Sequence, residues 1–400
     1  MRRLAYCMFS LVIMLSSVSV FAQSTPNVRV RVYPKQATTS TVETFAPGDP
    51  EPKNKQDYFS GLTVMYSSDG KWIGSYGLQE GSTTPQIFYG QVGQPFVQVA
   101  VPAQATPIRI VFSSDGHYFG YTTLAFTTQQ WTMGIVDLTN GKSVQFTGKS
   151  SPGPVIGDAT PDLNAVLGMA FPVSWSPDGK TMYVESFIFS QAAARRFDGL
   201  YSLDFSALDF SKSDPQPLPK TTRLLQDAQI YGEPVVSPDG TQALYLSNDP
   251  QNPPEGYTPT KFSQTANTLS IVDLATGKNS AVATAPKGQA IATVQWMSDS
   301  KSILYTAGGF KTTSYIVDPH AYMLDLASGK SDARDALMLD SGAYLVNMLV
   351  CGDNLFYLNK VYKDDFSGDM TLYYAPLSDL KSRSKALATA QNITLINCTS

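Results

Sequence analysis

The chain has 400 residues, 42% of them hydrophobic, so it can fill a sizeable core and is not a disordered polymer. Its 29 basic and 33 acidic residues leave a formal charge of −4, which argues against nucleic acid or an anionic membrane surface as partner. Charged residues make up only 16%, and Ser, Thr, Gln and Tyr supply the polarity, a balance that suits a β-rich exported protein.

Residues 1–22 read as a secretory signal: Arg2 and Arg3, an apolar run over 4–20, then Val20-Phe21-Ala22 before Gln23. Removing it lowers the basic count from 29 to 27 against 33 acidic residues. The apolar run is short and interrupted by Ser10, Ser16, Ser17 and Ser19, so cleavage is expected rather than anchoring. Nothing later is long and apolar enough to span a bilayer, and the expected product is periplasmic or secreted. Residues 23–57 read as an N-terminal strand and linker. Within them Asn27 to Tyr33 alternate Val and Arg as a half-buried strand does, and the Pro-rich stretch 46–55 reads as a loop.

From residue 58 onward one turn recurs. It appears as Ser67-Ser68-Asp69-Gly70, Ser113-Ser114-Asp115-Gly116, Ser176-Pro177-Asp178-Gly179 and Ser237-Pro238-Asp239-Gly240, with weaker copies at Met297-Ser298-Asp299-Ser300 and Cys351-Gly352-Asp353-Asn354. The Asp residues are 46, 63, 61, 60 and 54 positions apart, about one four-stranded unit with insertions. Asp bonds back to the backbone and Gly takes positive φ without steric cost, the geometry of a tight hairpin. In the last two copies Asn354 can enter the left-handed region, whereas Ser300 does so less readily and its turn should be strained or different. A second turn shares the period: Asp137-Leu138-Thr139-Asn140-Gly141-Lys142, Asp273-Leu274-Ala275-Thr276-Gly277-Lys278 and Asp325-Leu326-Ala327-Ser328-Gly329-Lys330. Each unit is therefore strand, tight turn, strand, loop, strand, tight turn, strand. Only the short polar stretch 377–390 hints at a helical period. At the far end Asn392 to Cys398 form another strand candidate, which could share a closure, or a seventh unit, with the N-terminal strand.

The block Trp175-Ser176-Pro177-Asp178-Gly179-Lys180, with the later Asp-Leu-x-x-Gly-Lys strand, resembles the TolB-like β-propeller repeat, a WD40-like Pro-Asp repeat, over roughly residues 58–390. The resemblance implies an all-β, six-bladed propeller of four-stranded antiparallel blades over 58–400, closed by the terminal strands, with seven blades as the alternative. TolB-like chains place an α/β domain before the propeller, and 23–57 is too short for one. The propellers of prolyl-oligopeptidase-type enzymes resemble this repeat too, but no Gly-x-Ser-x-Gly elbow is present.

Because strands alternate in direction, both tight turns belong on one face, and the long connections 148–170, 189–197, 211–233, 248–267, 308–320 and 360–369 on the other. Candidate binding residues in these loops are the Arg195 and Arg196 pair, for a carboxylate or sugar acid, and Tyr257, Lys261 and Phe262 with Phe310, Lys311 and Tyr315 as aromatic and basic contacts. Asp364, Asp365 and Asp369 form a weak oxygen cluster whose spacing is not that of an EF-hand. His117 sits in a turn at the position of Lys71 and Lys180, and His320 is the one imidazole in a long loop. Two His cannot build a multi-His metal centre, and no catalytic set or cofactor is expected. Cys7 leaves with the signal, while Cys351 and Cys398 could pair in an oxidising compartment or remain buried thiols. These features favour a monomeric, non-enzymatic propeller that recognises a protein, peptide or glycan through its long-loop face. The alternatives are a propeller enzyme acting on a carbohydrate or lactone, and a TolB-like scaffold in envelope assembly.

Overall fold

The computed structural model describes residues 26–399 apart from 35–38, 60–61, 79–80, 103, 129, 150–168, 191–192, 213–214, 226–230, 248–265, 312–314, 338 and 362–367. Among these, strands form seven four-stranded antiparallel sheets and no helix occurs. Blades one to six each use four consecutive strands. Their first strands are Leu62–Tyr66, Thr106–Phe112, Met169–Trp175, Tyr231–Val236, Ala290–Trp296 and Ala343–Cys351. These first strands lie against those of neighbouring blades and form the inner wall of the ring.

The seventh blade joins the two ends of the chain. Its order is Asn392–Thr399, Asn27–Tyr33, Thr39–Phe45 and Asn54–Phe59, so the C-terminal strand is innermost. The count of six from turn copies is thus one short, for a physical reason. Asn27 pairs with Thr399 where the other blades turn, so the chain ends replace the Ser-x-Asp-Gly hairpin. The second tight turn of this blade is Ala46-Pro47-Gly48-Asp49, which does not resemble Asp-Leu-x-x-Gly-Lys. Neither recurring signal exists in the blade. The strand Asn54–Phe59 runs through residue 57, and the loop ahead of it is 46–53.

The repeated turn is a small hydrogen-bonded machine. In blade three the Ser176 hydroxyl donates to Asp178 Oδ1 at 2.6 Å and accepts the Thr181 N–H at 2.9 Å, while Gly179 N–H donates to the Ser176 carbonyl. Blades one, two and four repeat these contacts at Ser67, Ser113 and Ser237. Gly70, Gly116, Gly179 and Gly240 all take φ between +67° and +72°. Consecutive turns also interlock: Ser68 Oγ donates to the Ser114 carbonyl at 2.9 Å and Ser114 Oγ to the Ser176 carbonyl at 3.0 Å. A Cβ on Gly240 would collide with Pro177 of the adjacent turn, so glycine is required there for space as well as for φ.

The two variant copies solve the problem differently. Ser300 adopts φ +54°, its hydroxyl accepts the Asp239 N–H at 3.0 Å, and Ser302 replaces the serine missing at Met297 by donating to Asp299. In blade six Cys351 pairs directly with Asn354, and the left-handed residue is Gly352 at +59° rather than Asn354. The stretch 377–387 forms turns, followed by the strand Ala388–Ala390.

Apolar side chains between blades make the core. Trp131, Met133, Trp175, Met182 and Leu203 are fully buried between blades two and three. Cys351 and Cys398 form a disulfide with Cα atoms 5.5 Å apart, tying the inner strand of blade six to that of blade seven.

Candidate ligand-binding face

The tight turns share one face, and the loops from second to third strand and from blade to blade share the other. One expected long loop is misplaced. Residues 211–233 are divided by the strand Thr221–Leu225, and 205–220 join the third and fourth strands of blade three on the turn face. That excursion reaches back over blade two. Gln216 N–H donates to the Gln145 carbonyl at 2.8 Å and residue 216 bridges Phe146, which covers an otherwise bare sheet edge. Phe210 stacks on Tyr118, 6.0 Å between ring centroids.

Two other expected loops are strands. In blade three Thr181–Ser190 and Ala193–Asp204 pair as far as Ser190 with Ala193, leaving only two residues between them. Among the described residues the inner strand pairs no further than Phe187 and the outer one no further than Leu200, while the two middle strands stay paired over 188–196 as a two-stranded ribbon. Blade five repeats this. Ser302–Lys311 and Tyr315–Asp325 pair out to Lys311 with Tyr315, past the last inner-strand partner, Gly308. Each ribbon has an irregular base. Gly199 (φ +156°) stands at a register shift in blade three, and Asp318 (φ +48°, no glycine) at one in blade five. Bulges of this type bend a strand pair and increase its twist.

Arg195 and Arg196 therefore lie in a strand, with Arg196 opposite Ile188, and Phe310, Lys311 and Tyr315 lie at the tip of the blade-five ribbon. His320 is exposed in the strand Tyr315–Asp325, opposite Ala307, not in a loop. Tyr257, Lys261, Phe262, Asp364 and Asp365 lie outside the described residues, as do residues 1–25, where a signal was expected, and most of 148–170 and 248–267. Asp369 is exposed just before the strand Met370–Pro376. His117 is a turn residue whose Nδ1 lies 2.9 Å from Asp115 Oδ2.

A charged cluster on the inner wall escaped the sequence. Arg109 on the inner strand of blade two reaches Glu185 of blade three at 3.5 Å and also pairs with Glu233 on the inner strand of blade four. The Glu185 carboxylate is 4% exposed and needs a cation beside it, whereas that of Glu233 is 49% exposed. The three residues span 124 positions, and only the closing of the ring brings them together. Among the described residues no three His, Cys, Asp or Glu side chains converge as metal ligands.

No protein-family model matches the sequence, and no curated protein does either. Solved structures do match. The chain is similar to a periplasmic gluconolactonase, PpgL, of Pseudomonas aeruginosa, with 14% identity, a TM-score of 0.55, and coverage of 94% of this chain and 99% of that one. It is also similar to an oligogalacturonate lyase of Vibrio parahaemolyticus, with 10% identity, a TM-score of 0.53, and coverage of 90% and 84%. TolB of Acinetobacter baumannii matches at 14% identity over 92% of this chain and 82% of that one, with a TM-score of 0.43. At these identities the likeness extends to the β-propeller fold and no further.

Proposed function

We propose that the chain is an exported, non-enzymatic propeller that recognises a protein, peptide or glycan through the face bearing the long connections. The observation that carries this reading is the pair of two-stranded ribbons, 188–196 and 309–317, which extend past the described inner and outer strands of blades three and five. A ribbon with paired backbone holds its side chains at lower entropic cost than a loose loop, which favours recognition of a large partner. Arg195, Arg196, Phe310, Lys311 and Tyr315 all belong to these ribbons or their tips. The test replaces each ribbon by an Asn-Gly turn and compares retention on peptide and glycan arrays. At least one array ligand should be held by the parent protein and released by the shortened variants, with the circular dichroism spectrum unchanged.

A second reading rests on Arg109, Glu185 and Glu233: an enzyme acting on a sugar acid or lactone at the inner wall. An arginine can anchor a substrate carboxylate, and the half-exposed Glu233 carboxylate can act as a general base that takes a proton from a carbon or from a water at the bound sugar. Turnover from a glycan, ester and lactone panel that is lost in Glu233→Gln and kept in the ribbon-shortened variants would replace the first reading with this one.

A further inference from the structure

Away from both the ribbons and the inner wall, a cavity of about 340 Å³ opens between blades one and two on the face opposite the tight turns. Its volume is at the lower end of the range for small-ligand sites. Three blades build it. The link from blade one to blade two supplies Pro102, Gln104 and Ala105. The sheet of blade two supplies Thr132, Gln145 and Thr147, and the excursion from blade three supplies Pro215.

Among the described residues none of the eleven that line it is ionisable. The polar ones are hydroxyls and carboxamides: Gln104, Thr128, Gln130, Thr132, Gln145 and Thr147, with Thr127 beside them. Such groups both donate and accept, as sugar hydroxyls do, and they supply no cation to offset the desolvation of a carboxylate or phosphate. Gln145 is held in place. Its Nε2 donates to the Tyr121 hydroxyl at 3.0 Å and to the Ala100 carbonyl at 3.3 Å, which uses both N–H bonds and leaves the amide oxygen as acceptor. Pro102, Ala105, Ala125 and Pro215 provide the apolar surface that the C–H face of a sugar ring needs. Phe126, between the lining residues Ala125 and Thr127, is 61% exposed, the highest value among the exposed large apolar side chains described.

One residue is strained. Gln104 takes φ +62°, a region that side chains other than glycine, Asn and Asp rarely enter. Glycine would fit that backbone better, yet the position carries a carboxamide that lines the cavity. Strain of this kind collects where a side chain is wanted for binding.

The geometry points to a binding site for a neutral oligosaccharide in this cavity, with Gln104, Thr132 and Gln145 reading hydroxyls and Phe126 as an aromatic rim. The site is independent of the ribbon reading. Titration calorimetry tests it with maltotriose, cellotriose and mannotriose, against trigalacturonate and an uncharged Ala-Gly-Ser-Gly peptide blocked at both ends. At least one neutral trisaccharide binds, and trigalacturonate and the peptide do not. Phe126→Ala and Gln104→Gly, both at exposed positions, each weaken binding by about tenfold or more. Gln104→Gly melts at the same or a higher temperature, because the left-handed backbone no longer opposes a side chain. The ribbon-shortened protein binds the saccharide as the parent does, so failure of one reading is separable from failure of the other. The proposal is overturned if no neutral trisaccharide binds, if only the peptide or trigalacturonate binds, or if both variants bind like the parent.

Discussion

The two sides of the seventh blade are built from different chemistry. Toward blade six, Val28, Val30, Val32, Phe45 and Ile393 pack with Phe356, Leu358 and Leu372, and the Cys351–Cys398 disulfide joins the inner strands. Toward blade one the same strand Asn27–Tyr33 presents arginines. The Arg29 guanidinium lies 3.8 Å over the Tyr66 ring and its Nη1 reaches Asn397 Oδ1 at 3.4 Å. Arg31 is 1% exposed, donates from Nε to Ser40 Oγ at 2.7 Å, and lies 4.7 Å over the Tyr33 ring. Tyr58 and Tyr66 bring their hydroxyls to 3.3 Å beside a small apolar group of Val42, Val64 and Ile73. One face is held by burial of apolar area and a covalent tie, the other by cations on aromatic rings. The ring therefore has a strong seam and a weaker one, on opposite sides of a single blade.

Breaking the strong seam should have the largest effect. The disulfide closes a separation of 47 residues, and loop-closure entropy alone makes that worth about 4 kcal/mol. The double variant Cys351→Ala/Cys398→Ala should lose that amount in urea unfolding, and reductant should affect the parent but not the variant. Phe45→Ala removes a fully buried ring from the same side and should cost about 3 kcal/mol by the same measurement. On the other side Arg31→Ala should cost about 2 kcal/mol, through a lost buried hydrogen bond and lost packing of its stem. Arg29→Ala should cost about 1 kcal/mol, the scale of a partly exposed cation–ring contact. If either arginine variant proved costlier than Phe45→Ala, the ranking of the two seams would be reversed.

The smallest effect concerns acid, and it belongs to the turns shared by the other blades. Hydrogen bonds from the Ser176 hydroxyl and the Lys180 N–H hold the Asp178 carboxyl below the ordinary range. At Asp69, Asp115 and Asp239 burial pushes the other way, but the hydrogen bonds outweigh it and those carboxyls are low too. A carboxyl lowered in the folded chain contributes stability above its unfolded value, about pH 3.9, and loses it as pH falls through the folded one. The melting temperature should stay level from pH 7 to about 4 and decline below. Ser176→Ala should make that decline shallower, because Asp178 then titrates closer to its unfolded value.

Much of this was readable in the residues. The Ser-x-Asp-Gly turns announced hairpins, and Met297 and Ser300 announced an altered one. The alternation of Val and Arg over Asn27–Tyr33 gave a strand but misjudged its outer face. Arginine in an alternating strand signals water unless an aromatic partner from another blade covers it, and Tyr66 comes from the next one. Residues 189–197 and 308–320 read as loops because Arg195 and Arg196 interrupt the one and Gly308, Gly309 and Lys311 the other, whereas paired backbone carries both into ribbons. Arg109, Glu185 and Glu233 left no local trace, since each is an ordinary strand residue until the ring closes. The cavity at Gln104 was equally silent, because neutral Thr and Gln are common throughout this chain.

Closure of the ring by strands from both ends is tested most directly by hydrogen exchange of the oxidised protein, followed by mass spectrometry of peptides covering Asn27–Tyr33 and Asn392–Thr399. Both should be protected as strongly as the inner strand Thr106–Phe112 and far more than the loop 46–53. Exchange of either peptide at the rate of that loop would contradict the seventh blade and, with it, the two-seam account.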